Sequence, residues 1–394
     1  MHTFIGAGIA LDTIVRSLMN IISASSFYKD YVKSIKASLQ NLLGLLGSVS
    51  DERTKVLGGK ALRYMVEPVQ TLIKRLKEVK AIQALVGFIE SEDGLLGICL
   101  RILTSSTDAN SNCLFYLPGE SEFEQELNLV KAILISVIRS IITILWKEFR
   151  STSGPTSYFY YNSIMEVSSR IVESGYQLAQ SKHTLNTKSR EECYLSCIRF
   201  MKETIPLAEF YSIYINSFRE VISHVLLPNL VITEKELIDF REDENEFVNS
   251  SFDLCYQQES KTIKAFSMSA LEELCNKIDG ALTFVGIGSL SLIDAALSKR
   301  SAEEIIAEHP NLTILVNSDF VKLNSPEKIL DVLLLVVTAI TFRLFDRADL
   351  TEGLTALLKK HLKTLQGYSP LILCRMFMLT SFILDKLNKA NVDK

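Results

Sequence analysis

The sequence predicts an all-α chain, an α-solenoid of antiparallel helix pairs, and three observations lead there. Glycine (17) and proline (8) are scarce over 394 residues, so the turn punctuation that many-stranded folds need is missing. Apolar residues make up 47% of the chain against 22% charged, enough to bury long helices against one another. Apolar positions recur at helical spacing almost throughout, separated by short polar joints.

The elements follow in order. Ile9, Leu11, Ile14, Val15, Leu18, Ile21 and Ile22 form one apolar stripe. Tyr28, Val32, Ile35, Leu39, Leu42, Leu43 and Leu46 form a second, and the two facing each other make an αα-hairpin. Ser50, followed by Asp51, Glu52 and Arg53, opens the next helix with acids suited to its N-terminal dipole. Pro68 is expected near the start of the helix after it. The step of roughly 40 residues is that of a HEAT or armadillo unit, without a crisp sequence repeat.

Residues 105–120 read as a loop and 122–150 as one long helix. Gly154 and Pro155 break the chain within 151–156, and 181–192 is a polar joint. Helices are expected over 193–204, 208–227, 262–275, 281–297, 326–345, 350–365 and 370–388. By motif content the chain divides into 1–150, helical repeats without a further motif, and 151–394, repeats interrupted by an acidic segment at 233–259 where helical patterning is lost.

A net charge of −4 gives no broad positive field, which argues against a role in coating nucleic acid. A mean hydropathy of +0.20 raises the question of a membrane. The most apolar stretches, 132–146 with Arg139 inside and 332–342 between Asp331 and Arg343, fall short of about 20 uninterrupted apolar residues. Residues 1–10 carry no basic region and soon meet Asp12 and Arg16, so neither a secretory signal nor a span is expected.

Cysteines at 99, 113, 193, 197, 255, 275 and 374 are odd in number and scattered. That pattern points to a reducing compartment rather than a disulfide framework. Cys193 and Cys197, one helical turn apart with no histidine nearby, read as core thiols.

Chemistry-bearing residues concentrate in the acidic segment. Glu234, Glu236, Asp239, Glu242, Asp243, Glu244 and Glu246 are interleaved with Phe240, Phe247 and Phe252. A magnesium site for a diphosphate, using Asp239 and Asp243, would need a second acidic cluster that the sequence does not offer. An acidic loop contacting basic partners, pinned by its phenylalanines, is a second reading. A solvated connection is the third. Gly286 and Gly288 lack the lysine of a phosphate loop and read as a close helix approach. His183, His224, His309 and His361 lack metal-ligand spacing. The clusters Lys74, Arg75, Lys77, Lys80 and Lys359, Lys360, Lys363 fall on polar helix faces. A binding protein is expected, not an enzyme, with no cofactor and no metal.

The stretch 233–248, Thr-Glu-Lys-Glu-Leu-Ile-Asp-Phe-Arg-Glu-Asp-Glu-Asn-Glu-Phe-Val, resembles a signature of the larger importin-β superfamily members. There an aromatic, two residues, Asp-Pro, one residue, Glu, an aromatic and an aliphatic follow a long apolar helix. Asp243, Glu246, Phe247 and Val248 fit; Phe240 stands for the usual Trp and Glu244 for the usual Pro. Residues 141–149, with Trp146, resemble an earlier family helix, and Ser369-Pro370 with Arg375 resembles a later Ser-Pro-x-x-x-x-Arg start of an outer helix. The resemblance spans 131–389 and is nearest the importin-nine class, with the importin-seven and cellular-apoptosis-susceptibility classes as neighbours.

The resemblance implies a HEAT-repeat superhelix of cytoplasm and nucleus that carries protein cargo through nuclear pores under control of the GTPase Ran, with nucleoporins as further contacts. The family's N-terminal Ran-binding pattern is not found, and Asn249, Ser250, Ser251 and Phe252 follow where the family's acidic stretch continues. The expected cargo is a basic protein of histone or ribosomal type, contacted by Glu242, Asp243, Glu244 and Glu246. A non-transport helical scaffold, such as a coat, tether or pore-associated protein, is the alternative. The chain is shorter than a complete receptor of this kind, and its apolar last helix leads to an expectation of self-association.

Overall fold

The computed structural model describes residues 25–78, 95–104, 113–116, 121–148, 157–181, 188–256, 262–298, 315–316, 318–364 and 367–392. Helices account for nearly all of these residues, with no strand among them, so the all-α expectation holds. The chain divides into two compact units, Met1–Leu207 and Ala208–Lys394.

The first unit contains α1 (Ser25–Ser48), α2 (Glu52–Glu78), α3 (Leu95–Thr104), α4 (Glu122–Glu148), α5 (Ser157–Ser181) and α6 (Lys188–Thr204). Helix α4 is its centre and packs against α2, α3 and α6. Val130, Leu134, Ile135, Val137, Ile138 and Ile142 are all fully buried, a spread of positions that covers more than one helix face. Its start is a reciprocal cap: Ser121 N–H donates to Glu124 Oε2 at 2.7 Å, and Glu124 N–H returns a bond to Ser121 Oγ at 3.3 Å. Helix α2 is capped by Asp51, whose Oδ2 accepts from Thr54 N–H at 2.9 Å, one residue after the expected Ser50.

One expectation changes here. Pro68 does not lie near a new helix start but inside α2, which runs unbroken across it. Proline removes one helical hydrogen bond and tends to break a helix, yet Met65, Val66, Val69 and Ile73 around it are buried and their packing holds the helix together. Helix α5 packs on α6 and α6 on α4, which places both in the first compact unit. The stripe at 9–22 lies outside the described residues. Leu39 and Leu42 of the second stripe are buried.

The second unit begins with α7 (Tyr211–Glu220), which continues into a wide π-turn (Val221–Leu226) and a tight 3-10 turn (Leu227–Leu230). Buried Asn229 donates to Val225 O at 2.8 Å and to Ser267 Oγ at 3.0 Å. The remaining helices are α8 (Glu234–Glu242), α9 (Glu244–Tyr256), α10 (Ile263–Lys277), α11 (Asp279–Leu297), α12 (Ser318–Leu323), α13 (Pro326–Ala339), α14 (Thr341–Leu344), α15 (Ala348–His361) and α16 (Pro370–Val392). The helix expected over 326–345 is thus two, parted at Ile340 (φ −90°, ψ 6°).

Helix α11 packs on α10, α13 and α15, and α13 packs on α16. Nineteen residues long, α11 is apolar enough to cross a membrane by length and composition, and 61% of its most apolar 18-residue stretch is buried inside the protein. A Cβ on Gly286 would lie 3.0 Å from Leu344 and 3.2 Å from Leu350, the close helix approach expected of that glycine. Cys193 and Cys197 are buried thiols not joined in a disulfide, also as expected.

Candidate functional site

The segment 233–256 is not a loop, as its lost periodicity implied, but two helices, α8 and α9, meeting at a corner. Local signals fix both ends. Thr233 N–H donates to Glu236 Oε2 at 2.7 Å while Glu236 N–H donates to Thr233 Oγ1 at 3.2 Å, a capping box that starts α8. At the corner Asp243 turns extended (φ −148°, ψ 93°), and its Oδ1 accepts from the backbone N–H of Asn245 and Glu246, both at 3.0 Å. One residue therefore ends α8 with its extended backbone and caps α9 with its carboxylate. Helices this short show little amphipathic periodicity, which is why the pattern failed in the sequence.

The acids sort into two groups. Lys328 Nζ meets Glu234 Oε1 at 2.6 Å and Lys264 Nζ meets Glu236 Oε1 at 2.7 Å, tying α8 to α13 and α10. Burial pushes the Glu236 carboxyl up, but Lys264 and the Thr233 cap outweigh it and hold it below its ordinary value. The Lys328 hydrogen bond lowers Glu234 likewise. Glu242, Asp243, Glu244 and Glu246 are all exposed. Glu242, Glu244 and Glu246 form no ion pair among the described residues, so their charge is available to a partner.

Beneath the corner, Phe240 and Phe247 meet edge to face with ring centres 5.0 Å apart, buried in a cluster with Ile232 and Leu371. This is the pinning expected of the two phenylalanines; the Phe252 side chain lies outside the described residues. Arg375 of α16 sits 4.9 Å over the Phe247 ring and donates through Nε to Asp331 Oδ1 of α13 at 2.7 Å. The corner is thus fastened from below by an edge-to-face aromatic pair and a buried ion pair. The Arg375–Asp331 link was missed in the sequence; Asp331 stood out only as a charge at the edge of an apolar run.

Among the described residues no group of three or more His, Cys, Asp or Glu side chains could hold a metal ion, so Asp239 and Asp243 find no second acidic cluster there. His361 is buried and lies 2.7 Å from Asp294 through Nε2, and Lys360 pairs with the same carboxylate at 2.8 Å. Lys359, Lys360 and Lys363 are exposed, as expected. His183, His309 and the side chains of Lys74, Arg75, Lys77 and Lys80 lie outside the described residues.

The corner can therefore present fixed negative charge to a cationic surface. Fold and site define the class only as far as an all-α protein with an anchored acidic face. The chain matches no protein-family model, no curated protein and no solved structure.

Proposed function

We propose that this chain is a helical-repeat binding protein of importin-β type that carries a basic protein cargo under the control of Ran, its helix pairs stacked as a HEAT-like solenoid. The observation that carries the reading is the set of carboxylates on Glu242, Glu244 and Glu246, which form no ion pair among the described residues and stand exposed on a corner anchored by Phe240, Phe247 and Arg375. Flexible acids lose conformational freedom on binding, whereas acids on a fixed corner lose less, which favours specific recognition. The order of acidic corner and Ser369-Pro370-Arg375 helix along the chain supports the same family reading.

The test is a pull-down from nuclear and cytoplasmic extract with and without Ran locked in its GTP form. Basic proteins captured by the chain and released by Ran-GTP are the expected result. Capture that ignores Ran removes the transport reading and leaves a binding scaffold.

A further inference from the structure

Between Pro370 and Leu384, helix α16 contains one charged residue, Arg375, and that residue is buried. The solvent face of this stretch is therefore uncharged, where a surface helix ordinarily carries charge. Phe377 and Leu384 stand on that face, 59% and 54% exposed, and their spacing of seven residues aligns them along the helix. Half-buried Leu373 extends the line by one turn. Thr380, between the two, turns its hydroxyl back to Met376 O at 2.7 Å, so the helix itself satisfies that polar group.

This ridge is held outward. On the other side of α16, Leu371, Ile372, Met376, Leu379, Phe382 and Ile383 are buried, and the helix packs on α13. The bond from Arg375 to Asp331 fixes its rotation. The acidic corner borders the ridge at its N-terminal end: Leu371 and Cys374 pack in the cluster with Phe240 and Phe247. Glu244 lies near enough to Cys374 to add to the rise that burial imposes on its thiol, and Phe377 follows Cys374 by about one turn. An apolar ridge thus adjoins fixed negative charge, and its complement is a surface with an apolar stripe and cations beside it.

We propose that the ridge and the corner together dock an amphipathic basic helix, its apolar stripe lying on Phe377 and Leu384 and its lysines or arginines meeting Glu242, Glu244 and Glu246. The proposal rests on the reading of the corner as a site for basic partners and adds the form in which such a partner is presented. Helix-on-helix docking uses anchors at i, i+4 and i+7, the spacing of Leu373, Phe377 and Leu384 within one turn. A basic segment without an apolar face would use the corner and gain nothing from the ridge.

The experiment is fluorescence anisotropy of the full chain with two labelled leucine- and lysine-rich peptides of identical composition and about five turns in length. One has its leucines at helical spacing, and the other has the same residues in an order that gives no apolar face. The amphipathic peptide is expected to bind about tenfold tighter. Phe377→Ser with Leu384→Ser, checked for parental helicity, should remove that preference and leave the second peptide's affinity unchanged. Glu242→Gln, Glu244→Gln and Glu246→Gln together should weaken both peptides. Equal affinity of the two peptides for the parent chain, or a preference that survives the double serine variant, overturns the docking proposal and leaves the corner reading standing. Absence of binding, or affinities that ignore the three glutamates, overturns both.

Discussion

Arg375 and Asp331 meet inside the second unit at 2.7 Å, with side chains 2% and 0% exposed. The same guanidinium covers the Phe247 ring, so a single arginine joins α13, α16 and the underside of the acidic corner. Removing one partner of a buried pair strands the other charge, whereas replacing both with apolar groups of similar size does not. Arg375→Ala is expected to lower stability by about 3–5 kcal/mol in urea unfolding. The double change Arg375→Met with Asp331→Leu should recover most of that loss. A single variant within about 1 kcal/mol of the parent would mean that the pair behaves as a solvated one.

The corner's charge and its architecture are separable. Replacing Glu242, Glu244 and Glu246 together with Gln should leave helicity and melting temperature near parental values, since none is buried. Binding to a lysine- and arginine-rich peptide should weaken, and its dependence on salt should flatten, because screening acts on the charges removed. Unchanged affinity at low salt would take the corner out of the binding reading.

Asp243 is different, because its Oδ1 caps α9 through two backbone bonds. Asp243→Ala should cost about 0.5–2 kcal/mol, while Asp243→Asn, which keeps a capping oxygen, should be nearly neutral. Equal losses from both substitutions would assign the effect to charge instead of the cap. Circular dichroism melts of the two variants distinguish these outcomes.

Lys131 makes stability depend on pH in an unusual direction. Its folded value near 8 lies below the ordinary 10.5, so between those values the unfolded chain binds the extra proton. Stability contributed by this group therefore rises with pH across that window, by about 3 kcal/mol from end to end. Buried thiols work the other way: burial pushes Cys99 and Cys275 up to about 12, and the folded chain holds their protons longer. The comparison that isolates the lysine is parent against Lys131→Met, whose difference in unfolding free energy should move in the parent's favour from pH 8 upward. A difference constant with pH would show that Lys131 is neutralised by a partner.

The sequence alone determined the all-α class, because apolar positions at helical spacing and scarce glycine and proline leave a helix as the way to pair most backbone groups while burying one face. It also marked Gly286, Cys193 with Cys197, and the inward phenylalanines Phe240 and Phe247, each readable from size or apolarity. It did not reveal that 233–256 folds as two capped helices, since segments of nine and thirteen residues are too short for periodicity to register and their stability comes from what they pack on. Pro68 staying inside α2 was likewise settled by packing against α4. The Arg375–Asp331 pair, 44 residues apart in sequence, and the burial of Lys131 against the Tyr116 ring were decided only by tertiary structure. Whether a charge is solvated, paired or stranded depends on which distant helix lies against it, and local pattern carries no record of that.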